Sequence, residues 1–269
     1  MQITKMHGIG NSYIVIEDVQ GKMKSKYSSL AKKLSNKSFG VGSDGILVVS
    51  KGRLAKYWMR IFNPDGSEAE MCGNGIRIFT RYLFDKKMIG KEATIEVGGS
   101  KGGKIVKTKI NGNIVTVDMG KCEIRGAKTI EAGGKKFDGI SVSVGNPHFV
   151  IFSKNEEEAE ENAKKYGSAI ENHTSFRNRT NVEFVSPKSK EELNVYVWER
   201  GAGKTLACGT GACASVFAAY KDNRAGKKVK VKLPGGILNI EIKDDNRVMM
   251  SGPAEYIFSA NIDVNKLKN

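Results

Sequence analysis

The sequence predicts an α+β fold built from two pseudo-symmetric halves, each with β-strands wrapped around one central helix. Three observations lead to this expectation. An ordered set of motifs occurs twice, short β-rich runs alternate with turn residues, and a helical pattern follows each of two cysteines. The repeat predicts the domain organisation, and the other two patterns predict the strands and the central helix of each half.

Four pairs of segments match in the same order, at offsets of 135 to 137 residues. Unrelated Gly-rich turns do not stay in register over such a distance, so the chain is interpreted as a duplication. We expect an N-terminal half at 1–120 and a C-terminal half at 121–257, meeting in the Gly-rich stretch 120–135, with residues 258–269 packing back on the first half. The matching pairs are 10–16 with 145–151, 43–48 with 180–185, 59–63 with 195–199, and 72–75 with 208–211.

Within each half, short β-rich runs are separated by Gly, Asn and Asp turn signals. The segment 212–220 is apolar nearly all round, which predicts a buried helix. In the first half, Ile76, Phe79 and Leu83 form an apolar stripe at helical spacing. A surface helix is predicted over 156–166, where acidic residues fill the first turn. The predicted strand runs of the first half are 14–16, 46–49, 57–62, 95–97, 105–110 and 114–117.

The chain carries a formal net charge of +15 and a pI near 9.5. Its lysines are scattered, and those at 227–232 largely alternate with apolar residues as on a strand with one solvated face. We therefore expect an ordinary basic surface and no nucleic-acid partner. The N-terminus lacks the apolar run of a signal peptide, and no segment approaches the roughly 18 apolar residues of a membrane span. The expectation is a cytoplasmic protein without a membrane partner, for which a homodimer is an open possibility.

The four cysteines are too few for a disulfide scaffold and form no C-x-x-C pair. With three histidines, no metal-ligand spacing is present, so no metal site is expected. Cys122 and Cys213 are interpreted as small buried apolar residues.

Cys72 and Cys208 differ because each precedes a short Gly-rich turn that runs into a helical pattern, Gly73-Asn74-Gly75 and Gly209-Thr210-Gly211. At a helix N-terminus the dipole and unpaired backbone N–H groups stabilise a thiolate, which lowers the thiol pKa from about 8.5 towards neutrality. The same N–H groups bind anions such as a carboxylate.

Two such thiols, related by the duplication, favour inversion at a carbon stereocentre. One thiolate removes the α-proton from one face while the other thiol delivers a proton to the opposite face. The helix N-termini stabilise the charge that develops on the neighbouring carboxylate. The prediction is an amino-acid epimerase that needs no cofactor.

The motifs resemble those of the diaminopimelate epimerase family over essentially the full length. The segments that carry the resemblance are 7–11, 42–45, 63–75, 145–148, 179–184, 199–203 and 207–212. The resemblance implies interconversion of LL- and meso-2,6-diaminopimelate, on the route to lysine and cell-wall peptide, without metal or organic cofactor. It also implies two domains that close on a small amino-acid substrate.

The resemblance further implies residue roles. The catalytic thiols fall on Cys72 and Cys208, with His148 and Glu199 adjusting the protonation of the first and second thiol respectively. The α-carboxylate contacts fall on the backbone of Gly73, Asn74, Gly209 and Thr210. The contacts to the distal amino-acid end fall on Asn11, Asn63, Asn146, Asn181, Glu199 and Arg200.

Three alternatives remain open at this level. A racemase of the same mechanism acting on lanthionine or histidine shares the thiol pair. A basic nucleic-acid binder fits the charge but predicts indifference to thiol alkylation. A thiol redox protein fits the cysteines but prefers them adjacent or in C-x-x-C.

Overall fold

The computed structural model describes residues 1–99 and 103–267. Within this part of the chain the fold is mixed, with eighteen strands and four α-helices. The chain divides into two compact units, Met1–Val117 with Gly252–Asn269, and Asp118–Ser251. The limits expected from the repeat were 120 and 257, whereas residues 118–120 lie with the second unit and residues 252–257 with the first.

The first unit contains two α-helices, α1 (Tyr27–Ser35) and α2 (Gly73–Asp85). The strands β1 and β2, β3 and β4, β6 and β7, and β7 and β8 pair antiparallel, whereas β2 with β3 and β4 with β6 pair parallel. The last strand of the chain, β18, pairs antiparallel with β1. The strands are β1 (Gln2–Gly8), β2 (Asn11–Glu17), β3 (Ile46–Lys51), β4 (Tyr57–Phe62), β5 (Glu68–Ala69), β6 (Glu92–Val97), β7 (Lys104–Asn111), β8 (Ile114–Lys121) and β18 (Glu255–Asn261).

The second unit also contains two α-helices, α3 (Glu156–Glu171) and α4 (Gly209–Lys221). Its strands β11 and β12, and β13 and β15, pair parallel, and the other adjacent strands pair antiparallel. The strands are β9 (Glu123–Ala132), β10 (Lys135–Ser143), β11 (Pro147–Phe152), β12 (Asn181–Ser189), β13 (Glu192–Glu199), β14 (Gly203–Thr205), β15 (Lys228–Leu233), β16 (Gly236–Ile242) and β17 (Arg247–Pro253).

Helix α2 begins directly after Cys72 and helix α4 directly after Cys208, and each packs on the strands of its own unit. Ile76, Phe79 and Leu83 of α2 are fully buried, as their spacing predicted. Ten of the thirteen residues of α4 are buried, which fits its nearly uniform apolar sequence. Burying an apolar stripe of this kind stabilises the start of each helix, where the cysteine lies.

Several elements differ from the sequence-based expectation, and the strands β1 and β5 of the first unit were not predicted. The glycines of the stretch 120–135 led us to expect little regular structure there. The stretch instead contains β9, which forms a hairpin with β10. The surface helix is α3 and continues to Glu171, capped at its start by the Asn155 side chain, which accepts from the Glu158 N–H at 2.9 Å. Helix α1 was not predicted. Beyond these, the described residues contain no helix long and apolar enough to cross a membrane.

Gly167 of α3 provides a test of how this helix packs. It is buried against Trp198 of β13, and a Cβ at this position would lie 2.7 Å from three side-chain atoms of that tryptophan, its Cβ, Cγ and Cδ2. Gly→Ala normally favours a helix by up to about 1 kcal/mol, whereas overpacking costs about 1–3 kcal/mol. We therefore expect Gly167→Ala to lower the free energy of unfolding, measured by urea titration. Ser168→Ala, exposed on the same helix, is the control and should change stability by less than about 0.5 kcal/mol. A Gly167→Ala protein more stable than the parent would contradict the close packing.

Candidate active site

Cys72 is the N-cap residue of α2 and has an extended backbone, with φ −141° and ψ 116°. Its Sγ accepts a hydrogen bond from the Gly75 N–H at 3.3 Å. The intrahelical ladder begins with the Ile76 N–H, which donates to the Cys72 carbonyl at 3.0 Å. The backbone N–H groups of Gly73 and Asn74 precede that ladder and therefore point out of the helix start. The sequence predicts a thiol at or just before a helix N-terminus, and the structure confirms that position.

Asn11, the first residue of β2, contacts the Cys72 thiol. Its Oδ1 lies 3.6 Å from Cys72 Sγ and accepts from Asn74 Nδ2 at 3.4 Å. Its Nδ2 donates to Asp44 Oδ2 at 3.0 Å, and the Ser12 N–H donates to the same oxygen at 2.7 Å. Because a carboxylate only accepts, Asp44 fixes the orientation of the Asn11 amide, with its oxygen towards the sulfur.

A tyrosine also reaches the first thiol. The Tyr13 hydroxyl donates to Cys72 Sγ at 3.3 Å. Asn74, next to the thiol, is 2% exposed, and its Oδ1 accepts from the buried Arg77 guanidinium at 3.0 Å. The Asn63 side chain instead donates to Ser67 Oγ at 3.0 Å, within its own turn. The structure thus brings Asn11, Cys72 and Asn74 together and leaves Asn63 apart from them.

Cys208 is the N-cap of α4 and repeats the arrangement of Cys72. Its backbone is extended, with φ −125° and ψ 112°, and its Sγ accepts from the Gly211 N–H at 3.3 Å. The Thr210 hydroxyl lies 3.5 Å from the same sulfur. Cys208 is 5% exposed, whereas Cys72 is half-buried.

Burial changes the expected ionisation of Cys208. Desolvation raises the pKa of this thiol well above its ordinary value, and the neighbouring carboxylates of Glu199 and Glu183 add to the rise. The hydrogen bonds from Thr210 and from the Gly211 N–H act in the opposite direction but do not prevail. For Cys208 the prediction of a lowered pKa was therefore wrong, because it counted the helix terminus and not the burial.

Glu199 lies beside Cys208, and burial raises the pKa of its carboxyl group. Hydrogen bonds from Thr205 and Cys208 partly oppose this rise. The Thr205 hydroxyl donates to Glu199 Oε1 at 2.5 Å, and this contact fixes the carboxylate at the end of β13. A carboxyl group with a raised pKa next to a protonated thiol is suited to exchanging a proton with it.

His148 is held in a buried polar chain close to Thr210. Its Nδ1 lies 2.7 Å from Glu183 Oε1 and its Nε2 lies 3.0 Å from Asn146 Oδ1. The Asn146 amide then donates to Thr210 Oγ1 at 3.3 Å. Both ring nitrogens face oxygens, so an imidazolium donates to both, whereas a neutral ring leaves one contact without its proton. The structure therefore places His148 in the group around Cys208.

Asn181 and Arg200 form a separate contact at the end of β13. The Arg200 N–H donates to Asn181 Oδ1 at 3.0 Å, and Asn181 Nδ2 donates to the Pro147 carbonyl at 2.8 Å. The Arg200 guanidinium is exposed and bonds the Asn178 carbonyl at 3.3 Å. Both polar atoms of the Asn181 amide are therefore hydrogen-bonded to backbone groups. The Arg200 guanidinium, by contrast, is exposed and can donate further hydrogen bonds to a ligand.

Comparison with known proteins decides the family. The diaminopimelate epimerase family model matches residues 3–124 and 140–257. A diaminopimelate epimerase from Desulfitobacterium hafniense is 44% identical over 96% of both chains, and one from Methanococcus maripaludis is 40% identical over 98% of this chain and all of its own length. The chain belongs to the diaminopimelate epimerase family.

Solved structures of more distant sequence share the fold of this diaminopimelate epimerase family member. A phenazine biosynthesis protein of the PhzF family from Bacillus anthracis superposes with a TM-score of 0.75 at 15% identity, covering 97% of this chain and 98% of its own. A probable proline racemase from Agrobacterium radiobacter superposes with a TM-score of 0.72 at 13% identity, covering 97% and 92%. At these identities the likeness establishes the fold alone.

Several polar residues in the hydrogen-bonded groups around the two thiols were not predicted from the sequence of this diaminopimelate epimerase family member. Glu183 was passed over although it is a carboxylate within an apolar strand run, which is a signal for a partnered buried charge. Its Oε2 has no hydrogen-bond partner among residues 1–99 and 103–267. Asp44 lies in segment 42–45, which carries part of the family resemblance, but no role was assigned to it. The other missed side chains are Tyr13, Arg77 and Thr205.

The other two cysteines of this family member, Cys122 and Cys213, are buried and cap neither helix. Cys122 is 3% exposed, and burial raises the pKa of its thiol to about 12. Cys213 is fully buried inside α4. In the part of the chain that is described, no three His, Cys, Asp or Glu side chains are grouped as metal ligands are.

The ionisation of Cys208 is predicted to depend on Glu199. Replacing the Glu199 carboxylate with an amide removes a negative charge that raises the pKa of Cys208, so in Glu199→Gln this pKa should fall. The Cβ NMR shift of isotope-labelled cysteine, titrated with pH, measures the change without requiring reagent access. Glu192→Gln, at the opposite end of β13, is the control and should leave the midpoint in place. An unchanged midpoint in Glu199→Gln would show that the carboxylate does not act on the thiol.

Proposed function

We propose that this chain is a diaminopimelate epimerase, interconverting LL- and meso-2,6-diaminopimelate for the synthesis of lysine and cell-wall peptide. The observation that carries the proposal is that each unit presents one thiol as the N-cap of a Gly-rich helix start, in a chain of this family. No cofactor enters the proposal, since the chemistry is assigned to two side chains.

We propose further that the two units are pseudo-symmetric copies. The strand pairings support this, because each unit has the same succession of antiparallel and parallel neighbours. In the first unit β2 and β3 pair parallel, as do β4 and β6; in the second β11 and β12, and β13 and β15, do the same. Cys72 follows β5 and Cys208 follows β14, which are equivalent steps of this order.

In the proposed reaction the two thiols exchange roles. A thiolate takes the α-proton of the substrate and becomes a thiol, while the other thiol gives its proton to the opposite face and becomes a thiolate. One proton leaves the substrate and one arrives, so the total is balanced and only the configuration changes. The reverse direction uses the same groups with their protonation exchanged.

The α-carboxylate is assigned to the first turns of α2 and α4. Backbone N–H groups at Gly73 and Asn74, and at Gly209 and Thr210, precede the intrahelical ladders and suit a carboxylate. Loss of the α-proton transfers negative charge towards this carboxylate, so donors directed at it stabilise the transition state more than the bound substrate.

The raised pKa of Cys208 supports assigning it the proton in the resting enzyme. Cys208 then serves as the acid and Cys72 as the base for the stereoisomer whose α-proton faces Cys72. For the other stereoisomer Cys208 must first lose its proton and Cys72 must take one up from solvent; Glu199, whose own pKa is raised by burial, is the assigned acceptor of the Cys208 proton. We keep His148 as a residue that adjusts thiol protonation, but assign it to the second thiol, Cys208, through Asn146 and Thr210, whereas the resemblance implied the first thiol.

Recognition of the distal amino-acid end is assigned to the polar residues for which the family resemblance implies this role. The exposed Arg200 guanidinium is the natural carboxylate partner, because its fork matches two oxygens. A substrate with a second amino-acid head group fits this set better than histidine does. The proposed contacts are Asn11, Asn63, Asn146, Asn181, Glu199 and Arg200.

The central prediction concerns the two thiols. Cys72→Ala and Cys208→Ala should each lower kcat for epimerisation of LL-diaminopimelate by about 10²–10⁴-fold or more, because each removes one member of an acid–base pair. The readout is the appearance of the meso isomer by chiral chromatography.

Cys122→Ala is the matched control, since it removes a buried thiol that caps neither helix and lies between β8 and β9. It should retain kcat within a few-fold of the parent. Full epimerisation by either active-site variant would dismiss the two-thiol assignment. Faster turnover of lanthionine or histidine by the parent enzyme would redirect the substrate assignment while leaving the thiol mechanism in place.

A further inference from the structure

Each thiol accepts one backbone N–H bond and has one hydroxyl nearby, but the hydroxyls come from different positions of the repeat. For Cys208 the hydroxyl belongs to Thr210, two residues along the chain. The matching residue after Cys72 is Asn74, which has no hydroxyl. The hydroxyl near Cys72 belongs instead to Tyr13, whose equivalent in the second repeat is His148. A hydroxyl group thus lies at the sulfur in both units, although it belongs to a different position of the repeat in each.

The fold holds the Tyr13 hydroxyl in place. Tyr13 lies in β2, opposite Met6 of β1, and is 5% exposed. Its ring fills the space beside Gly45, where an added Cβ would lie 3.0 Å from Tyr13 Cε1 and 2.5 Å from the Phe62 carbonyl oxygen. The glycine, with φ +148°, therefore leaves room for the ring.

The contacts around Cys72 provide for both forms of the sulfur. As a thiol, Cys72 can donate to Asn11 Oδ1, 3.6 Å away, which Asp44 keeps turned towards it. As a thiolate, it can accept from both the Gly75 N–H and the Tyr13 hydroxyl, each at 3.3 Å. Donors to the charged form favour that form, and hydrogen bonds to charged groups are stronger than those between neutral groups.

We propose that Tyr13 is a catalytic residue that stabilises the Cys72 thiolate by hydrogen bonding, in the role that Thr210 has for Cys208. This inference rests on the proposed two-thiol function for its meaning in catalysis. The hydrogen bond is gained when Cys72 holds no proton and is weakened when the sulfur takes the α-proton. Tyr13 keeps its own proton throughout.

The test is the pH dependence of Cys72 alkylation in the full-length enzyme without substrate. Iodoacetamide reacts with the thiolate, and peptide mass spectrometry separates Cys72 from the other cysteines. In Tyr13→Phe the midpoint of the Cys72 profile should move to higher pH by about one unit, the size expected for loss of a hydrogen bond to a charged group. The same variant should lower kcat several-fold at neutral pH with KM unchanged.

Two further variants keep the test decisive. Tyr57→Phe, a buried tyrosine of β4 in the same unit, is the control and should move neither the midpoint nor kcat. Fluorotyrosine placed at position 13 by nonsense suppression preserves the ring and strengthens the donor, so it should move the midpoint to lower pH even if Tyr13→Phe folds poorly.

Unchanged midpoints in both Tyr13 variants would overturn the role of Tyr13 and leave the proposed function standing. A parent enzyme that fails to epimerise diaminopimelate would overturn the proposed function. The alkylation profile would still decide whether Tyr13 stabilises the thiolate in that case.

Discussion

The structure around the thiols depends on one interaction, the hydrogen bond from a backbone N–H in the first helical turn to the sulfur of the N-cap cysteine. It occurs at 3.3 Å from Gly75 to Cys72 and at 3.3 Å from Gly211 to Cys208. The residue at the donor position must be small. An added Cβ at Gly211 would lie 2.8 Å from Glu183 Oε1, and one at Gly75 would lie 3.3 Å from Cys72 Cβ. The second glycine of each Gly-x-Gly turn is therefore tightly enclosed, by the cap cysteine at Gly75 and by the Glu183 carboxylate at Gly211.

The cap alone does not set the protonation of the thiol. Cys208 has the same N–H donor and helix terminus as Cys72, yet the net effect is a pKa raised above the ordinary value. Desolvation and two nearby carboxylates outweigh a helix-terminus effect that is worth about 0.3–1 kcal/mol at an exposed site. Cys72 is more exposed. The same local motif therefore presents two different chemical environments, and this difference supports the distinct acid and base roles proposed for the resting enzyme.

Local patterns in the sequence predicted both cap positions. Cys72 and Cys208 were found from glycine turns running into helical periodicity, and the buried faces of α2 and α4 followed from apolar spacing. Helix α1 also has a helical stripe, with Tyr27, Leu30, Ala31 and Leu34 buried, but its lysines and serines obscured it. The strand β9 was missed because its exposed residues and glycine carry little strand signal, and its pairing with β10 is what fixes it.

Contacts between distant segments could not be predicted from the sequence. The link from Asp44 through Asn11 to Cys72 joins three segments, and the chain from Glu183 through His148 to Asn146 depends on the parallel register of β11 with β12. The direction of the Cys208 pKa required knowledge of burial, which a one-dimensional pattern does not contain. Glu183 was the exception, since a lone acid in an apolar strand run could have been recognised.

The central claim is that two different groups act on the substrate, one removing and one delivering the α-proton. It is tested most directly by following deuterium at Cα from one pure stereoisomer in deuterated water. The account predicts that, early in the reaction, the newly formed stereoisomer carries deuterium while the unreacted stereoisomer remains protonated. Early deuterium in the unreacted stereoisomer, or product that retains the original proton, would contradict it.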